Sequence, residues 1–164
     1  MLSSERLKLR KITLEDAPSL LTLMNDKDWI LNIGDRGLKT IADAEKYIEE
    51  KFHKTYENSD IIFYALTLKS TQEFIGIAGL IDRDGLDHID IGYGLLPEFR
   101  GHGYAFEATK VVYDHGLHNL QLEKIVGIVN PNNEASISIL KKIGLNFEKM
   151  IQLPDENEKI MLFS

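Results

Sequence analysis

The segment Arg100-Gly101-His102-Gly103-Tyr104-Ala105 sets two glycines where a strand-like run, Leu86 to Leu96, gives way to helical spacing of small and apolar residues, Ala105, Ala108 and Val112. Such a turn is an anion site. The first amides of a helix have no partner within it, and their dipoles point outward. Glycines at 101 and 103 let the backbone approach a ligand closely and take positive φ. A pyrophosphate fits this description. A Gly-x-x-x-x-Gly-Lys-Ser/Thr loop is absent, and Phe106 stands where a dinucleotide fingerprint needs its third glycine.

What remains is the spacing Arg/Gln-x-x-Gly-x-Gly/Ala, met by Arg100, Gly103 and Ala105. Ile91-Gly92-Tyr93 precedes it, Glu107-Ala108 follows it, and Asn130-Pro131-Asn132-Asn133-Glu134-Ala135-Ser136 arrives about one strand later. The opening Glu5-Arg6-Leu7, with Leu9-Arg10, completes the set. Together these resemble the GNAT superfamily of N-acetyltransferases, in its RimJ/RimL-like ribosomal-protein branch, over nearly the whole chain. The resemblance implies acetyl-CoA as co-substrate, with its pyrophosphate on Arg100, Gly101, His102, Gly103, Tyr104 and Ala105. Arg100 would add charge there, and Lys141 or Lys142 would reach the adenosine 3′-phosphate. In the family the strand before the turn splays from its parallel neighbour, and the pantetheine arm enters the gap. Leu95 and Leu96 are the positions that would bond it, and Asn130 and Asn133 would contact its amides or the acceptor. One of Asn132 and Asn133 is also expected to cap the next helix.

Acetyl transfer from a thioester to an amine needs a neutral amine, stabilisation of an oxyanion, and a proton for the thiolate. No covalent enzyme intermediate is required, and positioning supplies up to ~7–11 kcal/mol. A backbone amide near Tyr93, exposed by a bulge, is the expected oxyanion donor, worth ~2.7–4 kcal/mol. Asp90, two residues before Gly92 in an apolar stretch, is the candidate base, directly or through water. It also reads as one solvated acid among Asp84, Asp87 and Asp90. Ser136, one helical turn past Asn132, is the candidate acid, since the resemblance puts its helix at the sulfur end of the cofactor. In the resembled family the connection that holds Trp29 shapes the acceptor pocket, so Trp29 reads either as a substrate-facing wall or as packing between helices.

The elements that must hold these groups follow from periodicity. Leu7 and Leu9 alternate with cations as a first strand. Thr13 with Asp16, and Thr40 with Asp43, read as capping boxes. The first opens a helix ending near Asn25, and the second one striped by Ile41, Ala44, Tyr47, Ile48 and Phe52. Between them, residues 26–39 have no clean period. Ile61 to Leu68, Phe74 to Ile81 and Leu86 to Leu96 predict an antiparallel meander, with a bulge or close ligand approach at Gly92 and Gly94. A helix from about Gly103 to His118, a doubly buried strand from Glu123 to Asn130, a helix ending at Gly144 and a hairpin over Leu145 to Ile151 and Glu158 to Phe163 complete the chain.

The fold class expected is α/β: a mixed, mostly antiparallel sheet of about six or seven strands, splayed in the middle and flanked by about four helices. All 164 residues read as a single acetyltransferase domain. The net charge of −7 argues against nucleic acid as a partner. No cysteine offers a thiol nucleophile or thiolate metal site, and the histidines form no metal pattern, so no metal is expected. Without an apolar run of ~20 residues or a signal-peptide core, no membrane association and a cytoplasmic location are expected. The partner is then an amine acceptor, a protein N-terminus or a small molecule, met by a monomer or homodimer. A chain that kept the turn and lost the chemistry would instead be a silent acyl-CoA-binding or interaction module, which the short side chain at Asp90 permits.

Overall fold

The computed structural model describes residues 1–164. In chain order it runs β1 (Leu2–Ser3), β2 (Leu7–Arg10), α1 (Ala17–Met24), α2 (Lys27–Asn32), α3 (Ile41–Tyr47), α4 (Lys54–Asn58), β3 (Phe63–Leu68), β4 (Phe74–Ile81), β5 (Ile89–Leu95), α5 (Tyr104–His118), β6 (Ile125–Val129), α6 (Glu134–Lys142), β7 (Phe147–Ile151) and β8 (Ile160–Phe163). A π-helical turn, Ile48–His53, joins α3 to α4, and 3₁₀ turns lie at Leu14–Asp16 and Pro97–Phe99. No helix is long and apolar enough to cross a membrane.

The strands form one sheet in the order β1-β2-β3-β4-β5-β6-β8-β7, antiparallel except between β5 and β6. The eighth strand beyond expectation is β1, too short for periodicity to reveal. The parallel pair is joined only at its start, Ile89 opposite Ile125 and Asp90 opposite Val126. Beyond Asp90 the strands part, leaving one edge of β5 without a strand neighbour. Its other edge runs in unbroken register along β4, from Asp90 opposite Ile81 to Leu95 opposite Gly76.

That continuity corrects the expected bulge at Gly92 and Gly94. The two glycines instead make room for side chains of the protein itself. A Cβ on Gly94 would stand 2.4 Å from the Trp29 ring, and one on Gly92 3.3 Å from Phe63. The sheet's register shifts elsewhere, between Leu66 and Thr67 and between Phe147 and Lys149.

Alternation along the strands sends side chains to two apolar layers. One layer packs Leu66, Leu80, Ile91, Ile125 and Phe163 against Ala108 and Val112 of α5. The other packs Ala65, Ile77 and Leu96 against Ile12, Leu20, Leu23 and Ile48 on the side of α1 to α4. Ile41 was expected in that stripe but is exposed, since it is the first residue after the Thr40 cap and precedes the buried turn of its helix. The two capping acids form as expected: Asp16 accepts from the Thr13 amide at 2.9 Å, and Asp43 from the Thr40 amide at 2.9 Å. Six α-helices stand where about four were expected. α2 hid in the aperiodic stretch, and a π-helical turn splits the helix that follows Thr40.

Candidate active site

The fork between β5 and β6 opens into a cleft of about 1760 Å³ that reaches α2, the Gly101 turn and the start of α6. The Leu96 amide donates to Ile75 at 2.9 Å, so the backbone of Leu96 faces β4. By alternation the amides of Tyr93 and Leu95 face the fork. Leu95 is thus on the edge where an extended ligand can bond, whereas Leu96 is buried on the side of α1 with its amide already used. This corrects the expectation for Leu96: a residue one step along a strand presents its polar groups to the opposite edge.

The Gly101 turn is open. Gly101 and Gly103 take φ of 78° and 82°, and a Cβ on Gly101 would meet nothing within 4 Å. Gly103 is the N-cap of α5, whose first residues Tyr104 and Ala105 line the cleft. His102 is exposed and outside the cleft wall, its ring beside that of Tyr104 and its carbonyl accepting from Arg6 at 2.9 Å.

Arg100 departs most from expectation. Its terminal nitrogens donate to Asp28 at 2.8 Å and Asp26 at 2.7 Å, and its Nε to the Leu95 carbonyl at 3.1 Å. The guanidinium is therefore neutralised on α2 and is not directed to the turn. Burial alone would raise the Asp26 pKa, but Arg100 and the amides of Trp29 and Asp28 outweigh it and hold the carboxyl below its usual range. Asp26 is also the N-cap of α2, accepting from Asp28 and Trp29. Its position one residue before Lys27 was the signal for this helix.

Trp29 packs on a strand of the sheet rather than between helices. It is buried against Gly94 and also lines the cleft, and its indole N–H has no partner.

Asp90 sits at the base of the fork, on the last pair before the strands separate, and is 1% exposed. It is not one of the solvated acids. Burial raises its pKa to about 6, against the pull of Arg83, whose Nε donates to Oδ2 at 3.0 Å, and of the Ile128 and Ile91 amides. Asp90, Gly92 and Gly94 alternate to the face of Trp29 and Phe63, while Tyr93 lies on the opposite face.

There the Tyr93 phenol donates to the Ser136 hydroxyl at 2.8 Å. Burial pushes the phenol up to about 12, against that hydrogen bond. It therefore stays protonated near neutral pH. Because Ser136 accepts from Tyr93, its own proton is free to point elsewhere. The Tyr93 side chain was missed in sequence, where only its backbone was considered. Its partner is 43 residues away, and no local spacing reveals such a pair.

Asn133 caps α6 by accepting from the Ser136 amide at 3.2 Å, which also fixes Ser136 in the first turn. Asn130 Oδ1 accepts from the Asn132 amide at 3.0 Å. Both carbonyl oxygens are thus engaged, leaving the two side-chain NH₂ groups for a ligand at the cleft wall. Lys142 also lines the cleft.

A forked sheet, an open helix-terminal turn and polar groups on both faces of the fork thus meet in one cleft. The model of the acetyltransferase (GNAT) domain matches residues 6–146, and the chain belongs to that family of N-acetyltransferases. The uncharacterized N-acetyltransferase p20 of Bacillus licheniformis is 30% identical over 153 residues, 92% of this chain and 85% of that protein. Spermidine N(1)-acetyltransferase of Escherichia coli is 29% identical over 111 residues, 62% of this chain and 60% of that enzyme. Among solved structures, the ribosomal alpha-N-protein acetyltransferase RimL, in complex with coenzyme A, has the same fold at a TM-score of 0.82 and 16% identity, covering 98% of this chain and 93% of that one.

Proposed function

We propose that the chain transfers an acetyl group from acetyl-CoA directly to an amine held in the same complex, and that the amine is the N-terminus of a protein. The fork in the sheet carries this reading, because it joins an unpaired strand edge, an open anion turn and two chemically distinct faces in one cleft. The residues present fit the co-substrate: Leu95 has a fork-facing amide for an extended pantetheine, Tyr93 has one for the thioester oxygen, and the first amides of α5 are available to a diphosphate.

The chemistry divides between the two faces. Asp90, ionised above about pH 6, takes the amine proton directly or through water. The uncharged nitrogen attacks the thioester carbon, and the Tyr93 amide on the open edge bonds the developing oxyanion. As the C–S bond breaks, Ser136 gives its proton to the thiolate and takes one from the Tyr93 phenol behind it; the second proton of the attacking nitrogen leaves to water in the open cleft, which returns one to the phenol, and Asp90 sheds the first to solvent. Free CoA and the acetylated amine result, with no group left on the enzyme.

Ile30, Leu31 and Ile33 favour a peptide acceptor. They are exposed, follow directly from the Trp29 wall, and line the cleft mouth, where the first side chains of a bound N-terminus would lie. The test is a screen of N-terminal peptides and of spermidine for CoA release, with mass spectrometry of the product. Acetylated α-amines and intersecting initial-velocity lines support the proposal. Turnover of spermidine alone overturns the acceptor class, and parallel lines overturn direct transfer. CoA binding without release across the panel would leave a silent acyl-CoA-binding module.

A further inference from the structure

The two positive-φ glycines of the anion turn are not held by apolar packing: a Cβ on Gly101 would meet nothing, and one on Gly103 would meet only Arg6, at 3.3 Å. The hold comes from the other end of the sequence. Arg6, between β1 and β2, donates from one terminal nitrogen to the His102 carbonyl at 2.9 Å and from Nε to Glu107 at 2.7 Å. Its guanidinium also lies 4.4 Å over the ring of Tyr104, the first residue of α5. One planar fork thus fixes the turn, the first helical residue and the first helical turn relative to one another.

Glu107 is fixed in its turn. Its second oxygen accepts from the Arg6 amide at 2.8 Å and the Ser4 hydroxyl at 2.5 Å. An acid in the first turn of α5 would ordinarily repel a diphosphate bound at that helix end. Arg6, 2.7 Å from the carboxylate, offsets the repulsion.

We infer that Arg6 is the positioning residue of the diphosphate site: it holds the Gly101–Gly103 turn in its receptive shape and neutralises Glu107. The inference rests on the acetyl-CoA reading above. Lysine cannot replace this function fully, because a single ammonium cannot span the carbonyl and the carboxylate while lying flat on the Tyr104 ring.

The test compares CoA with pantetheine, which lacks the diphosphate, by titration of the full chain and of Arg6→Gln and Arg6→Lys. Arg6→Gln should weaken CoA about tenfold, the scale of one charge-assisted contact, and change pantetheine less than about twofold. Arg6→Lys should fall between. Equal losses for both ligands would mean general damage to the fold and overturn the inference, as would CoA affinity that does not change. If Arg6→Gln does not fold, the same comparison of Arg6→Lys with the unaltered chain decides. Should the unaltered chain bind CoA no better than pantetheine, the acetyl-CoA reading falls with it, an outcome distinct from a change confined to the variants.

Discussion

Two side-chain pairs, one on each face of β5, carry the proposed proton movements, and each depends on burial. At Tyr93 and Ser136, burial keeps the phenol protonated and directs it onto the serine oxygen. Ser136→Ala should lower turnover by about 10²-fold, the lower range for a general acid, and leave CoA affinity unchanged. Tyr93→Phe should cost less, and the double variant little more than Ser136→Ala, because the two hydroxyls act in series. Steady-state kinetics with parallel CoA titrations would check this, and an unaltered turnover number in Ser136→Ala would remove the serine. At Asp90, kcat/KM should climb through about pH 6 as the carboxylate ionises, and that limb should vanish in Asp90→Asn. Arg83→Gln should move the limb to higher pH, since Arg83 lowers the Asp90 pKa. Stability has the opposite sign. The folded pKa of about 6 lies above the ordinary 3.8, so this group's contribution is greatest below 3.8 and is lost as pH rises through 6. Urea unfolding at several pH values should find that loss in the unaltered chain and not in Asp90→Asn.

At the scale of elements, α2 acts as a strap across the end of β5. Asp26 caps it, Arg100 ties it to the Leu95 carbonyl, and Trp29 lies on Gly94. Gly94→Ala would place a methyl group 2.4 Å from the indole and should destabilise the protein by about 1–3 kcal/mol in urea unfolding. Arg100→Ala should cost about 1 kcal/mol, because these ion pairs are only partly shielded, and should leave CoA affinity nearly unchanged. A large loss of CoA affinity in that variant would return Arg100 to the phosphate site. The fork itself is an element-level device. Strands β5 and β6 pair for two residues and then part, and the parting exposes polar edges that a continuous sheet would use up.

For the molecule as a whole, the cleft divides the sheet, so a ligand in the fork bridges the two halves. CoA at a hundred times its Kd should add about 2.7 kcal/mol of stability. For a chain of this size that raises Tm by roughly 5–10 °C. NADH and ATP should shift it far less, and a differential scanning measurement with all three would read the selectivity directly.

Much of this architecture was legible in the sequence, because local periodicity reports local structure. The meander, the doubly buried strand β6, the Thr40 cap and the Gly103–Tyr104 junction each rest on residues close in the chain. Asp90 was singled out by its type and its place before Gly92, Ser136 by the resemblance, and Tyr93 for its backbone amide alone. What tertiary structure decided was which polar groups remain free for a ligand. Arg100 and Leu96 lie within or beside the motif, yet one is drawn to the acids of α2 and the other faces β4. Arg6 and the Tyr93 phenol owe their partners, His102 and Ser136, to folding across 96 and 43 residues. Spacing along the chain determines elements and candidate groups. The pairing of charges and hydrogen bonds depends on distances in space, which the fold alone sets.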